Sequence, residues 1–209
     1  MKTQIYPINE MTAPQVAQVV RAVQGGALVA LATDTVYGLA AGAFDETAIG
    51  RIYELKGRPA NMPLQILVNS IEQAQQVVQW NERAEKLARA YWPGGLTLIL
   101  PPNERGQSLR RGFEGLGLRV PNHRGLLNLL TALPWPLVCT SANVHGQPVI
   151  TTEKALYAFC NKKVEFILTD GTLSPVASSV IDLMGASVLL REGAVSRNAL
   201  ESTLNEPLK

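Results

Sequence analysis

Apolar residues along this chain recur in two rhythms, and the switches between them mark out the elements. Thr12-Ala13-Pro14-Gln15 has capping-box spacing, and Val16, Val19, Val20 and Val23 follow at helical intervals until Gly25-Gly26 stops the run. Ala27 to Ala32 (ALVALA) is a continuous apolar run of strand length, the pattern of a strand buried on both faces. Polar side chains then gather from Thr33 to Leu39. A helix over about Glu46 to Leu55 turns Ile49 and Ile52 inward and delivers Lys56-Gly57-Arg58-Pro59 at its end.

The alternation continues. Gln65 to Val68 reads as a strand, Ser70 to about Val78 as a helix opened by Ser70 and Gln73, and Asn81 to Tyr91 as a further helix. The Trp92-Pro93-Gly94-Gly95 turn leads into a strand over Leu96 to Leu100. Asn103 to Gly115 is irregular, and Leu116 to Val120 is a strand carrying Arg119 in an apolar context. Leu126 to Leu133 reads as a helix, followed by a strand entered at Leu137 that stops at Thr140-Ser141-Ala142-Asn143. Thr152 caps a helix through about Cys160, and Phe166 to Thr169 is a strand turned by Asp170-Gly171. Ser179 to Leu183 and Ser187 to Leu190 form a strand pair through Met184-Gly185, and Ser196 caps a last short helix. Strands and helices intermix without strict alternation, which predicts an α/β fold of the α+β type: a twisted mixed sheet flanked by helices, in one domain over residues 1–209.

Composition narrows this picture only slightly. A formal charge of +2 is too small to imply a nucleic-acid partner by itself, so any basic function must be local. Cys139 and Cys160 lack metal-ligand spacing and read as reduced packing residues. The amino terminus lacks an apolar signal core, and no apolar run approaches the roughly 20 residues that span a bilayer. The expectation is a cytoplasmic protein without membrane attachment.

The motifs of phosphate loops, dinucleotide folds, nucleophile elbows and zincins are all absent from the sequence. What remains is a set of cations, Lys56, Arg58, Arg119 and Arg191, with hydroxyl and amide groups at strand ends. Lys56 and Arg58 fit a polyphosphate clamp, and fit equally a helix stop in which cations complement the macrodipole. Ser141 and Asn143 fit a ligand site at a strand end, or a turn. Arg119 must meet either an acidic side chain or an anionic ligand. His145 near Ser141 is weak ground for a catalytic triad. The inventory suits phosphoryl or nucleotidyl transfer, where positioning and charge stabilisation supply most of the rate.

Seven segments then fall in a recognisable order: ATDTVYGLA (Ala32 to Ala40), KGRP (Lys56 to Pro59), WPGGLTLIL (Trp92 to Leu100), LGLRVPNH (Leu116 to His123), TSANVHG (Thr140 to Gly146), SSVIDL (Ser178 to Leu183) and LREGAV (Leu190 to Val195). Together, within residues 27–195, they resemble the YrdC-like family, the threonylcarbamoyl-AMP synthases of tRNA modification. The resemblance implies a large open cavity over a twisted sheet. It also implies a nucleotidyltransferase that converts L-threonine, bicarbonate and ATP, with Mg2+, into threonylcarbamoyl-AMP and pyrophosphate. Partner proteins then transfer the threonylcarbamoyl group to tRNA. By resemblance Lys56, Arg58, Ser141 and Asn143 contact the ATP phosphates with Arg191 nearby, Lys56 and Arg58 being catalytic. Thr33, Arg119 and Ser178 match positions that hold threonine, and with them Tyr37, the motif's aromatic residue, is expected at the threonine site. Asp34 reads as a group supporting the site or as a cap.

Three positions depart from the family pattern. Ala32 stands where proline is common, Gly95 replaces the second proline of W-P-G-P, and His145 replaces a serine. The last motif lies near the end of the sequence, and the expectation is a catalytic domain alone, without the extension domain of longer relatives. The alternative is a relative of the same fold that binds tRNA or other RNA, or serves ribosome maturation, without synthase activity. Its RNA-facing patch would draw on Arg105, Arg110, Arg111, Arg119 and Arg124.

Overall fold

The computed structural model describes residues 2–209. Helix α1 (Ala13–Gln24) starts as its pattern requires: Gln15 Oε1 accepts from the Thr12 backbone N–H at 2.8 Å, and Val19 and Val23 are buried. Strand β2 (Val29–Leu31) lies inside the ALVALA run and is wholly buried. Helix α2 (Glu46–Lys56) is capped by Asp45 and closed by Gly57, whose φ of 59° favours glycine.

Two strands lie outside the sequence reading. β1 (Gln4–Pro7) is an edge strand of alternating exposure, and β3 (Gly38–Gly42) follows the polar cluster directly. By sequence the glycines of β3 suit either close approach of the backbone to a ligand or tight packing, and the structure uses them for packing. A Cβ at Gly38 would stand 2.6 Å from Cys139 Sγ, and one at Gly42 would stand 3.0 Å from Trp135 Nε1.

Further along come β4 (Gln65–Leu67), α3 (Ile71–Gln75), α4 (Glu82–Tyr91), β5 (Leu96–Leu100) and β6 (Leu116–Arg119). Helix α3 starts at its expected cap, where Ser70 accepts from Gln73 N and the Gln73 side chain turns to Asn69 N, but ends at Gln75, earlier than its pattern. The irregular stretch holds a short 3-10 turn, Arg105–Leu109. Then follow α5 (Arg124–Ala132), β7 (Leu137–Ser141), α6 (Glu153–Cys160), β8 (Phe166–Thr169), β9 (Ser179–Asp182), β10 (Val188–Arg191) and α7 (Arg197–Leu204). Thr152 and Ser196 cap α6 and α7 as expected.

The ten strands form one mixed sheet in the order β1-β8-β2-β3-β7-β4-β6-β5-β9-β10. At its centre β7 pairs antiparallel with β3 and β4, and β4 runs parallel to β6, so strand ends of different hand meet over one face. Such a reversal of strand direction opens a crevice at the strand ends. Among the described residues no helix is long and apolar enough to cross a membrane.

Candidate active site

One face of the sheet, from β3 across to β10, carries a cleft of about 540 Å³. Six of the nine residues singled out from the sequence line it: Thr33, Arg58, Arg119, Ser141, Ser178 and Arg191. Lys56, Asn143 and Tyr37 do not.

Arg119 is fixed on three sides. Its Nε donates to the Gly94 carbonyl at 2.8 Å, Nη1 to Thr35 Oγ1 at 2.9 Å, and Nη2 to Asp34 Oδ1 at 2.5 Å. With Arg119 3% exposed, the ion pair to Asp34 supplies the counter-charge that a buried guanidinium needs. One N–H remains on each terminal nitrogen, and Arg119 lines the cleft, so it keeps donor capacity for an anionic ligand. The acidic partner and the anion site are thus compatible readings of Arg119. Thr33 organises the loop above it: its hydroxyl donates to the Val36 carbonyl at 2.7 Å and accepts from the N–H groups of Thr35 and Val36.

On the far side, β10 presents Arg191, whose Nε and Nη2 donate to the carbonyl and hydroxyl of Ser178 at 3.0 and 3.1 Å. Partial desolvation, and after it the charge of Arg119, hold the Arg191 guanidinium below its ordinary range. Two cations therefore share one space and favour an anion between them.

At the other end, Arg58 follows the α2 stop. Its Nη2 donates to the Pro63 carbonyl at 3.1 Å, while its buried Nε has no partner and it forms no ion pair among the described residues. A buried, unpartnered guanidinium N–H is a donor awaiting an acceptor. Lys56 is different: it is 1% exposed, and its ammonium donates to the carbonyls of Ser141 and Asn143 and to Asn143 Oδ1. Burial, and after it the nearby Arg58 charge, lower its pKa to about 8. All three of its protons are engaged, so it braces the turn from beneath. Asn143 is equally occupied, its amide donating to the carbonyls of Val144 and Gln147. Ser141 faces the cleft with its hydroxyl proton donated to Asn143 Oδ1 at 2.5 Å.

Tyr37 lies behind the cleft wall. It is fully buried, and its hydroxyl donates to the Gly171 carbonyl at 2.7 Å and accepts from Asp170 N at 3.1 Å. Its neighbours Val36 and Gly38 line the cleft, so Tyr37 is engaged in bracing the 170–171 turn instead. His123 caps α5 through Nδ1 and meets Asp170 through Nε2 at 3.1 Å. His145 is exposed and donates its backbone N–H to the Lys56 carbonyl, so no triad forms with Ser141. Burial pushes the Cys139 thiol up to about 12, which leaves it neutral and unsuited to attack. Among the described residues no group of three or more His, Cys, Asp or Glu side chains could hold a metal.

Two cleft residues were missed from the sequence. Gln65 on β4 and Thr97 on β5 meet on the floor, where Gln65 Nε2 donates to Thr97 Oγ1. A polar residue at alternate positions of QIL and LTLIL was the available signal. One departure from the family pattern also acquires a reason: a Cβ at Gly95 would stand 2.5 Å from that of Ala194.

A family model described as telomere recombination, the Sua5/YciO/YrdC model, matches residues 21–193. The chain belongs to the Sua5/YciO/YrdC family. It is 39% identical over 188 residues to the threonylcarbamoyl-AMP synthase of Pyrococcus abyssi, covering 88% of this chain and 55% of that protein. It is 33% identical over 196 residues to the Bacillus subtilis protein of the same name, covering 91% and 57%. The chain thus spans little more than half the length of these relatives. The crystal structure of P. abyssi Sua5 complexed with L-threonine superposes with a TM-score of 0.91 at 35% identity, over 99% of this chain and 62% of that one. Escherichia coli YciO, at 24% identity and a TM-score of 0.85, shares the fold.

Proposed function

We propose that this chain forms threonylcarbamoyl-AMP and pyrophosphate from L-threonine, bicarbonate and ATP. The observation that carries the proposal is the pairing, in one cleft, of a guanidinium held ready at one end, Arg119, with an unpaired one at the other, Arg58. The names of the P. abyssi and B. subtilis relatives, and the L-threonine in the P. abyssi complex, support it.

In this reading the two free N–H groups of Arg119 take the threonine carboxylate, with Thr33 and Ser178 beside it. Arg58 offers its unpartnered Nε to the polyphosphate, and Ser141 meets the phosphates once its hydroxyl turns from Asn143. Lys56 and Asn143 act from beneath: they fix the Ser141 turn and add positive charge under it. The threonine amine becomes a carbamate, whose oxygen attacks the α-phosphorus while pyrophosphate leaves. Both reactants are anionic, so the cations lower the barrier by neutralising them in an in-line geometry. Magnesium enters with the nucleotide as part of the substrate, and Glu114 and Asp182 are the carboxylates that face the cleft. The product is a reactive mixed anhydride, which partner proteins would use to modify tRNA.

Pyrophosphate release by the purified chain tests the proposal. Release that needs threonine, bicarbonate and ATP together is expected. Release that ignores threonine, or tight RNA binding without release, would overturn it.

A further inference from the structure

The backbone beside the cleft is strained at one place. Arg111 has φ 46° and Gly112 has φ 84°, so two left-handed residues follow the 3-10 turn at Arg105–Leu109. Glycine takes that conformation freely; arginine keeps it only where its surroundings hold it. Here the holding contacts are on the side chain, which is 14% exposed. Arg111 Nε donates to Glu46 Oε1 at 2.9 Å, and Nη2 donates to the Ala43 carbonyl. Both acceptors lie at the entry to α2, 65 and 68 residues away along the chain. The Glu46 side chain is 68% exposed, so its ion pair adds little by itself, whereas the carbonyl of buried Ala43 must find a donor.

What this latch carries is a wall of the cleft. Phe113, Glu114 and Gly115 line the cleft, and Pro63, Leu64, Phe113 and Gly115 line both the cleft and a small cavity behind it. The wall is therefore one residue thick there. The rear cavity, which Arg111 and Tyr53 also line, measures about 10 Å³ and has no room for a ligand. It is a gap behind the wall, so close packing does not by itself fix Phe113. Helix α2 ties down both halves of the wall. Glu46 takes Arg111, and Tyr53, two turns further along the same helix face, donates to the Met62 carbonyl at 2.8 Å. Phe113 and Pro63 bound the same two spaces, and the Pro63 carbonyl accepts from Arg58 Nη2. Arg111 itself does not line the cleft, so it reaches the ligand space only through this wall.

We propose that Arg111 is a positioning residue for nucleotide binding: tied to α2 at Ala43 and Glu46, it holds the Phe113–Gly115 wall in place beside Arg58 and so sets the shape of the polyphosphate end of the cleft. The proposal rests on the synthase reading for the identity of that ligand. The strained backbone fits this role, because a released side chain lets residues 111 and 112 relax and the wall that follows them move. The charge of Arg111 is matched by Glu46, which leaves Arg58 to present the unpaired cation on this side.

The test uses Arg111→Gly, which suits the backbone and removes the latch, Glu46→Ala, which removes one anchor from the other element, and the double variant. Arg111→Gly exchanges lost contacts for relieved strain, so its melting point should lie within about 4 °C of the parent. Amide hydrogen exchange over residues 110–116 should quicken about tenfold or more. By calorimetry the Kd for ATP should rise about fivefold or more, and in pyrophosphate release the KM for ATP should rise alike, with kcat and the KM for threonine changed less than about twofold. Glu46→Ala should act in the same direction by less, and the double variant should match Arg111→Gly within about twofold, because both changes break one contact. A parent protein that binds ATP and shows these shifts but releases no pyrophosphate keeps the latch and discards the reaction. Unchanged exchange over 110–116, faster exchange with an unchanged Kd for ATP, additive effects in the double variant, or a melting point that falls in step with activity, each overturns the proposal.

Discussion

Replacing Lys56 by methionine separates a helix stop from a working brace. The buried ammonium donates to three oxygens of the Ser141–Asn143 turn, and burial lowers its pKa to about 8, against about 10.4 in an unfolded chain. The unfolded chain therefore holds the proton more tightly, and folding stability contributed by this group rises with pH between those two values. From pH 7 to 9.5 the gain is about 2 kcal/mol. Lys56→Met removes the titration. It also leaves the Asn143 carbonyl without a donor, at about 1–3 kcal/mol, while the Ser141 carbonyl keeps Asn143 N and Asn143 Oδ1 keeps the Ser141 hydroxyl, against a relief of about 3 kcal/mol for no longer burying the charge. Near neutral pH the variant should thus stay within about 2 kcal/mol of the parent. Urea unfolding of both proteins at pH 7 and 9.5 measures the difference, because other lysines and tyrosines titrate alike in the two. Equal pH dependence in parent and variant would refute the argument. Pyrophosphate release by the variant at pH 7 should fall at least tenfold; loss of folding in step with activity would mean that Lys56 serves only the helix end.

Three further outcomes follow from the site. Arg58→Ala removes a guanidinium with no carboxylate partner, so stability should stay within about 0.5 kcal/mol while the KM for ATP rises about tenfold or more, seen by denaturant unfolding beside steady-state kinetics. Asp34→Asn takes the counter-charge from Arg119 but keeps an acceptor, so a loss of about 1–3 kcal/mol is expected, read as a melting point lower by about 2–10 °C. Tyr37→Phe should cost about 1 kcal/mol through the freed Asp170 and Gly171 groups, with the threonine KM unchanged within about twofold. A large rise in that KM would place Tyr37 at the threonine site.

Much of this was legible in the residue pattern, for identifiable reasons. A charged residue in an apolar strand declares a partner, so Arg119 stood out, and both of its expected roles suit the geometry. Thr12, Thr152 and Ser196 lie at helix starts because hydroxyl and amide groups there satisfy free backbone donors. β3 was not legible, because the glycines and alanines needed for contact with Cys139 and Trp135 give GLAAG neither alternation nor β-branched residues. Gln65 and Thr97 were not, because their meaning depends on the β4-β6-β5 neighbourhood, which no local pattern encodes. Lys56 and Asn143 were noticed for the right reason, charge and amide near a strand end, yet they lie under the cleft wall.

The synthase reading faces its most direct test in mass detection of the product. Incubated with L-threonine, ATP, magnesium and 13C-labelled bicarbonate, the chain should yield threonylcarbamoyl-AMP carrying the label, and none when threonine or bicarbonate is withheld. ATP turnover without that labelled adenylate would contradict the account.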